Sequence, residues 1–448
     1  MKKKKFSFLI MFAALMLTVM TFEPTTVKAA ELEDLHSEAA VSPASELAVG
    51  DEFTVSNITY CVTSVSPTLE VEAYYAPMRL TTITIPGTVT YNNVTYAVTS
   101  IPDGAFFDNY RTTKIVISEG VKTVGESAFQ GCDAVTRIEL PSTLESFTTM
   151  GFKSLQTITL ASGNEHFRLV DGVLYTYDGA KLWLYPSGKA GTSYTVPEGT
   201  TVIGDSAFYE NKYLQTITLA DSVTTIEAYA FDTLNALTSI TFEDSITSIG
   251  DHNLRSCPEL VSVTFKNSGS LGNYCVYDCE SLETIVIDGQ LNGYGYFSLY
   301  DLPSLQQYQV TNSNYYTSRD GVLYRGTQLL RYPSAKTNTD YVVPDDTTVI
   351  AGLAFNYMQN TTTVVLNPGV TLNVMAFYYP NDTSPMTIYF RDETSVSLSA
   401  STSGVFVGMV TGSHIYLPTE AALESFNSYG SAVNPTNSAT VGIGTYAF

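Results

Sequence analysis

The sequence predicts a β-rich repeat solenoid in which short parallel strands stack coil on coil, with two hairpin insertions and a β-rich N-terminal cap. Three observations support this fold class. The 448-residue chain is longer than one hydrophobic core usually supports, which favours several domains or an elongated array. Similar segments recur about every 23 residues, with apolar positions that alternate as in a half-buried strand. Apolar residues make up 44% of the chain and charged residues 15%, so most of it is expected to fold.

The first 29 residues are predicted to form a signal peptide that is removed on export. A basic segment, Lys2–Lys5, precedes the apolar stretch Phe6–Met20, and small residues near Ala29 offer a cleavage site. The alternative is a single-pass anchor, but about fifteen apolar residues are few for a membrane span, which needs roughly 20. We therefore expect cleavage after Ala29 and an exported mature protein.

The composition is strongly acidic. The formal net charge is −22, and loss of residues 1–29 makes it about −26, because that segment carries five basic residues and one acidic residue. A field of this sign repels phosphate backbones and anionic lipids, which argues against binding to nucleic acid or to a membrane surface. The simpler interpretation is that acidity keeps an exported protein soluble. No later stretch is long or apolar enough to insert into a membrane.

The repeat unit is clearest from Ile217, where "ITLADSVTTIEAYAFDTLNALTS" is followed by "ITFEDSITSIGDHNLRSCPELVS". Apolar first and third residues predict a short strand with one buried face. Two spaced aliphatic residues, an Ala-Phe pair and a leucine follow, which suits a tight return path. A single unit cannot bury its apolar face alone, so the units are expected to stack. The unit starts are Ile115, Ile138, Ile158, Ile217, Ile240, Val263, Ile285 and Tyr308.

Two longer segments interrupt the array. The stretches "DGVLYTYDGAKLWLYP" (Asp171–Pro186) and "DGVLYRGTQLLRYP" (Asp320–Pro333) each place two apolar runs around a turn, which predicts a β-hairpin. A strand ending in proline follows each of them, so a module of about 150 residues is predicted to be duplicated. Such insertions are expected to project from one side of the solenoid, where they bind a ligand or cap an edge.

The pattern "IxLPxxVxxIGxxAFxxCxxLxx", seen in Ser118–Pro141, resembles the BspA-like leucine-rich repeat of bacterial surface proteins. The likeness covers residues 98–395. It implies an adhesin-like or ligand-binding protein without catalytic residues, secreted or located at the extracellular surface of a bacterium. Members of this family are associated with binding to host matrix proteins or to other cells. The resemblance therefore implies an extracellular protein or glycan as the partner. Fold alone does not identify that partner.

Both ends of the array carry their own signals. β-rich segments begin at Phe53 and Thr81, and Tyr91–Val94 is predicted to be a hairpin turn. The stretch "HIYLPTEAALESFNSYG" from His414 resembles the closing strand and short helix of the family. The final "IGTYAF", Ile443–Phe448, repeats the "IGDSAF" of an ordinary unit. It is either a closing strand that borrows the motif or the start of another unit, and we favour the closing strand.

The array is less regular in the middle. The Ala-Phe pair is replaced by Asn253-Leu254 in one unit and by Ser298-Leu299 in another, so irregular coils are expected there.

The predicted domains are a signal peptide (1–29), a linker (30–50), an N-terminal cap (51–97), a solenoid (98–395) with hairpin insertions (164–197 and 314–344), and a C-terminal cap or truncated last repeat (396–448).

Five cysteines in an exported chain raise the question of disulfides. Cys132, Cys257 and Cys279 occupy one repeat column, where other units have Asn or Leu, so buried free thiols are favoured. Cys275 lies four residues before Cys279, and a local bridge between them remains open. Cys61 has no evident partner.

The residues point to no catalytic, cofactor or metal site. The sequence contains no GxSxG, HExxH or phosphate-loop motif. A retaining glycosidase needs carboxylates about 5 Å apart in a cleft, and nothing specifies a cleft, so a polysaccharide hydrolase is a remote alternative. We therefore expect that the protein is not an enzyme. We also expect it to be a monomer. Four histidines are scattered along the chain and are interpreted as isolated turn residues: His36, His166, His252 and His414.

Two sets of side chains are predicted to bind a ligand. Tyrosines cluster in irregular, glycine-rich units, and tyrosine provides a large contact area with a polar tip, although some must be core residues. Outward threonines would form rows of hydroxyls that could bind sugars, although threonine also simply suits an exposed strand. The candidate residues are Tyr274, Tyr277, Tyr294, Tyr296, Tyr300, Thr218, Thr241 and Thr264.

The leading hypothesis is a non-catalytic extracellular protein that binds a protein or glycan, chiefly through the tyrosines between residues 274 and 300. The alternative is a structural spacer or envelope component whose surface has no specific ligand. Replacing tyrosines in this stretch with serine distinguishes the two, because only a binding protein would lose its association with cells.

Overall fold

The repeat units coil into a stack, and ladders of hydrogen-bonded strands run along it from coil to coil. This computed structural model describes residues 47–148, 152–266, 269–291, 293–294, 298–378, 385–391, 397–398, 404–406, 409–428 and 439–446, all within the compact unit Leu47–Phe448. The predicted signal peptide and most of the predicted linker lie outside these residues. The opening strands of the units form a first ladder, and the two-residue strands that follow form a second.

The described chain starts with a β-rich segment. Its strands are β1 (Glu52–Val55), β2 (Ile58–Ser64), β3 (Glu70–Tyr75), β4 (Thr82–Ile85), β5 (Thr88–Tyr91) and β6 (Val94–Ile101). β5 and β6 form an antiparallel hairpin around Asn92 and Asn93, which have φ angles of 47° and 63°. A two-residue hairpin turn requires such left-handed residues, so the predicted turn is confirmed. β6 also pairs in parallel with Thr123 and Val124 of the following coil, which connects this segment to the stack.

Regular coils follow. Their strands are β7 (Lys114–Ile117), β8 (Thr123–Val124), β9 (Arg137–Leu140), β10 (Ser146–Phe147) and β11 (Thr157–Leu160). In the first ladder Ile138 pairs with Ile115 on one side and with Ile158 on the other. The predicted unit starts therefore align in one buried column, as their apolar character requires.

The first predicted hairpin lies within the stack. Its strands and the two that follow are β12 (Phe167–Val170), β13 (Val173–Thr176), β14 (Lys181–Leu184), β15 (Ser193–Thr195) and β16 (Val202–Ile203). β13 and β14 are antiparallel, as predicted. The expectation that the insertion projects from the solenoid is wrong, because β14 pairs in parallel with β16 and so continues the second ladder. Tyr185, just after β14, stacks on Phe208 of the next coil at 5.2 Å.

The middle coils carry a third ladder. Their strands are β17 (Thr216–Thr218), β18 (Thr225–Ile226), β19 (Ser239–Phe242), β20 (Ser248–Ile249), β21 (Leu254–Arg255), β22 (Ser262–Lys266), β23 (Ser270–Leu271), β24 (Val276–Tyr277), β25 (Thr284–Asp288), β26 (Gly293–Tyr294), β27 (Leu299–Tyr300) and β28 (Gln307–Thr311). β21, β24 and β27 pair in parallel where the units lack the Ala-Phe pair. Asn253, which replaces the Ala, donates from its amide to the Glu227 and Gly250 carbonyls at 2.9 Å. The irregular coils therefore keep the stack by another hydrogen-bonding pattern.

The last section repeats this plan. Its elements are β29 (Thr317–Arg319), β30 (Val322–Arg325), β31 (Gln328–Arg331), β32 (Asp340–Val342), β33 (Val349–Ile350), β34 (Thr363–Leu366), β35 (Thr371–Leu372), β36 (Thr387–Phe390), β37 (Ser397–Leu398), β38 (His414–Leu417), α1 (Glu420–Ser428) and β39 (Thr440–Ile443). The second hairpin also joins the ladder, because β31 pairs in parallel with β33. β39 pairs in parallel with β38 and places Ile443 opposite Leu417, so this segment is a strand of the first ladder, and the favoured closing strand is confirmed. Ala447 and Phe448 lie outside the described residues.

Equivalent apolar side chains stack along the solenoid. The ring centres of Phe208 and Phe231 are 5.4 Å apart, and those of Phe355 and Phe377 are 4.8 Å apart, close to the separation of paired strands. All four side chains are fully buried. Within the described residues, no helix is long and apolar enough to span a membrane.

Candidate ligand-binding site

Three aromatic residues occupy the same position in successive coils, just before the Ala-Phe column. Tyr229, His252 and Tyr274 have φ angles of 56°, 55° and 52°. A left-handed residue changes the local chain direction. The three side chains therefore point away from the buried Ala-Phe column, which begins at the residue that follows each of them. The three rings therefore lie on the outside of the stack, half-buried and one above another.

Stacking orders these rings. The ring centres of Tyr229 and His252 are 5.1 Å apart with an interplanar angle of 3°, and those of His252 and Tyr274 are 5.1 Å apart at 8°. Coils that are separated by one strand spacing place equivalent rings at this distance. His252 is therefore part of a stack of rings. It is not the isolated turn residue that the sequence suggested.

The third ladder adds a second row. Tyr277 and Tyr300 are register partners in β24 and β27, and their rings stack at 5.8 Å and 13°. Tyr274 meets both rings edge-on, at 5.5 and 6.3 Å. Tyr357 meets Tyr300 in the same manner at 5.8 Å. We name this set the aromatic ladder: Tyr229, His252, Tyr274, Tyr277, Tyr300 and Tyr357.

Burial favours the neutral form of three side chains of the aromatic ladder. Burial raises the pKa of Tyr277 and of Tyr300, which keeps both phenols protonated. Burial, helped by the positive charge of Arg255, lowers the pKa of His252, so its imidazole is neutral. The Nδ1 atom of His252 is buried, and no hydrogen-bond partner for it exists in the part of the chain that the structure describes.

Charged groups flank the aromatic ladder. Arg255 lies 5.6 Å from the centre of the Tyr229 ring and forms an ion pair with Asp232. On the other side, burial and then the charges of Asp278 and Glu280 raise the pKa of Asp301 to about 6. The site therefore combines neutral rings with a fixed cation and with a carboxyl group that titrates in mildly acidic solution.

The structure brings together only some of the predicted tyrosines. Tyr274, Tyr277 and Tyr300 form one cluster, whereas Tyr296 and the side chain of Tyr294 lie outside the described residues. Sequence reasoning missed Tyr229, His252 and Tyr357. Aligning the residue before each Ala-Phe column would have found the first two. The contact with Tyr357 has no such signal, because a hairpin and more than one coil separate it from Tyr300 in the sequence.

The predicted threonines lie on a different face. Thr218, Thr241 and Thr264 belong to the first ladder, and Thr241 pairs with Thr264 in register. Thr218 is exposed and the other two are half-buried, so a row of hydroxyls does form. Because the tyrosines follow the third ladder, the two sets do not make one surface. A ligand-binding role for either set stays a prediction.

The cysteines are free thiols. All five are unpaired, so the local bridge between Cys275 and Cys279 is not formed. Cys132, Cys257 and Cys279 are fully buried, and each thiol donates to a carbonyl of the preceding coil, at 3.3, 3.4 and 3.1 Å. The predicted column of buried thiols is confirmed. Among the described residues, no group of three or more His, Cys, Asp or Glu side chains could hold a metal ion.

Several solved structures are similar to this chain. A leucine-rich repeat protein from Eubacterium ventriosum is 19% identical, with a TM-score of 0.45 over 74% of this chain and 95% of its own. The pneumococcal vaccine antigen PcpA is 16% identical, with a TM-score of 0.40 over 89% of this chain and 100% of its own. A leucine-rich cell surface protein from Faecalibacterium prausnitzii is 19% identical, with a TM-score of 0.36 over 87% and 95%. No curated protein matches the sequence.

A family model matches slightly more than half of the chain. The model of the BspA-type leucine-rich repeat region matches residues 67–169 and 191–322 in six copies, which together are more than half of the chain. The matched residues include parts of the first two ladders and the stacked pairs Phe106–Phe129 and Phe208–Phe231. The chain belongs to the BspA-type leucine-rich repeat family.

Proposed function

We propose that this protein is a secreted or surface-held, adhesin-like, non-catalytic monomer that binds an extracellular protein or glycan through the aromatic ladder. The observation that carries the proposal is the cluster of Tyr274, Tyr277 and Tyr300, held half-buried in one arrangement by mutual ring contacts. Rings that are already ordered lose little conformational entropy on binding, and tyrosine offers contact area and a hydroxyl together. Host matrix proteins and other cell surfaces are candidate partners.

The test uses the purified mature protein on arrays of matrix proteins and glycans. We expect binding to at least one class of ligand, and a loss of at least about tenfold in affinity for Tyr277→Ser with Tyr300→Ser. The matched control is Tyr389→Ser with Tyr416→Ser, which removes another stacked pair, 5.1 Å apart, from the first ladder. Equal losses in both variants, or no binding by the parent protein, would count against the proposal.

A structural spacer is the second candidate function. The stacking that favours it is the near-parallel contact of Tyr229, His252 and Tyr274, because rings that cover each other's faces stabilise the stack but leave mainly edges for a ligand. A spacer keeps its cell association after Tyr277→Ser with Tyr300→Ser. For either function, incubation with a panel of polysaccharides should release no products.

A further inference from the structure

A recess that shares Tyr229 with the aromatic ladder, but none of Tyr274, Tyr277 and Tyr300, lies where the first hairpin joins the stack. It has a volume of about 360 Å³, which falls in the size range of small-ligand sites. We name it the Trp183 pocket. Its walls include Glu126, Phe147, Lys181, Trp183, Asp205 and Tyr229.

The interruption of the second ladder builds this pocket. β10 ends one sheet and the hairpin strands β12, β13 and β14 begin the next, so side chains from both sheets face one recess. Leu182 and Leu184 are buried, and Trp183 between them faces outward. Its indole N–H donates to the carbonyl of Phe147 at 2.6 Å, which holds the ring in place.

An ammonium group of the protein itself shows which chemistry this ring accepts. The Nζ atom of Lys181 lies 4.6 Å from the centre of the Trp183 ring. The same atom donates to both carboxylate oxygens of Glu227, at 2.6 and 2.9 Å. A cation above an indole face with a carboxylate beside it is a favourable arrangement for an alkylammonium group.

The pocket has more negative than positive charge. Glu126 and Asp205 line the pocket, and its single ammonium, that of Lys181, already pairs with Glu227. None of the ion pairs within the described part of the chain involves Glu126. Partial burial raises the pKa of Asp205, and the charges of Glu227 and Glu126 add to the rise, which a hydrogen bond from Ser206 and the charge of Lys181 partly offset. One additional cation would relieve this repulsion, whereas a neutral ligand would leave it in place.

We propose that the Trp183 pocket binds the ammonium group of a lysine side chain on a partner polypeptide. Glu126 and Asp205 pair with the ammonium, and the aromatic wall contacts its aliphatic stem. The negative charge of the whole chain attracts a partner that displays lysines. The inference does not need the cluster of Tyr274, Tyr277 and Tyr300 to bind anything.

The test uses the fluorescence of Trp183, which is the only tryptophan of the chain. The full-length mature protein is titrated with acetyl-Gly-Lys-Gly-amide, and the same peptide with an acetylated lysine side chain is the matched ligand control. We expect a saturable change with the first peptide alone, weakened by salt, and at least about tenfold weaker in Glu126→Gln with Asp205→Asn.

The matched protein control is Glu259→Gln with Glu283→Gln, which neutralises two exposed acids elsewhere and should leave the titration unchanged. Equal responses to the two peptides, or no response to either, would overturn the proposal. Stronger binding of a glucosamine oligosaccharide than of the lysine peptide would overturn it in favour of a glycan ligand. Tyr277→Ser with Tyr300→Ser leaves this titration intact, so failure here is distinguishable from failure of the proposed function.

Discussion

Arg255 donates to both carboxylate oxygens of Asp232 in the preceding coil, at 2.7 and 3.1 Å, and Asp232 is fully buried. Burial raises the pKa of Asp232, while the hydrogen bonds and charge of Arg255 oppose this rise. The guanidinium also lies over the ring of Tyr229. One ion pair therefore links a buried charge in the stack to the aromatic ladder.

Truncation of this arginine is expected to be costly. Arg255→Ala leaves Asp232 buried without its cation, so the free energy of unfolding should fall by about 3 kcal/mol at pH 7. Urea denaturation measures it. Lys122→Ala is the control, because the Lys122–Glu145 pair is exposed and its loss should cost less than about 1 kcal/mol. Similar losses for the two variants would mean that the buried ion pair stabilises the fold no more than the exposed pair does.

Asp301 makes stability depend on pH. Its pKa is about 6 in the folded protein, against an ordinary value of 3.8. Because the folded value is the higher one, the stabilising contribution is present below about pH 4 and is lost as the pH rises through about 6. Asp301→Asn should remove this dependence and raise the free energy of unfolding at pH 7 by about 1–2 kcal/mol, after allowance for solvent screening.

Thermal denaturation between pH 4 and pH 7 measures this effect. Asparagine tolerates the left-handed φ of 54° at position 301, so the substitution itself should introduce little strain. Glu283→Gln is the control at an exposed acid. A wild-type protein whose stability rises from pH 4 to pH 7 as much as that of Asp301→Asn would refute the assignment.

Thiol reactivity tests the burial of the cysteines. Burial raises the pKa of Cys132 to about 12 and holds the pKa of Cys275 above its usual range, so neither forms a reactive thiolate in the folded protein. We expect Ellman's reagent to label Cys61 alone, slowly, in native protein. In urea without reductant it should label five thiols. Three labelled thiols in urea would instead show that one disulfide exists.

Export is tested on protein collected outside the cells. Cleavage after Ala29 predicts Ala30 as the first residue, because the apolar stretch and the small residues that follow it form a signal-peptidase site. N-terminal sequencing and intact mass measure this directly. A cell-bound protein that still begins at Met1 would instead support the single-pass anchor.

The repeat pattern could be predicted from the sequence because equivalent positions in successive coils have the same environment. Ile115, Ile138 and Ile158 could be aligned from the sequence alone, since an opening strand buries alternate residues in every unit. The hairpin turn at Asn92 was predictable for a similar reason, because local backbone geometry determines it. Ile443 was correctly assigned to a closing strand, although its motif resembles the "IG" step of an ordinary unit.

The sequence by itself determined the solenoid class, the columns of its core and the presence of both hairpins, because these depend on periodicity and on local turn chemistry. Only the tertiary structure decided how the coils present their outer side chains. The left-handed backbone at Tyr229 and His252 and the extra ladder under Tyr277 align rings from distant units. The Trp183 pocket likewise joins two ladder sections, and a contact of that kind depends on how coils stack and not on any local pattern.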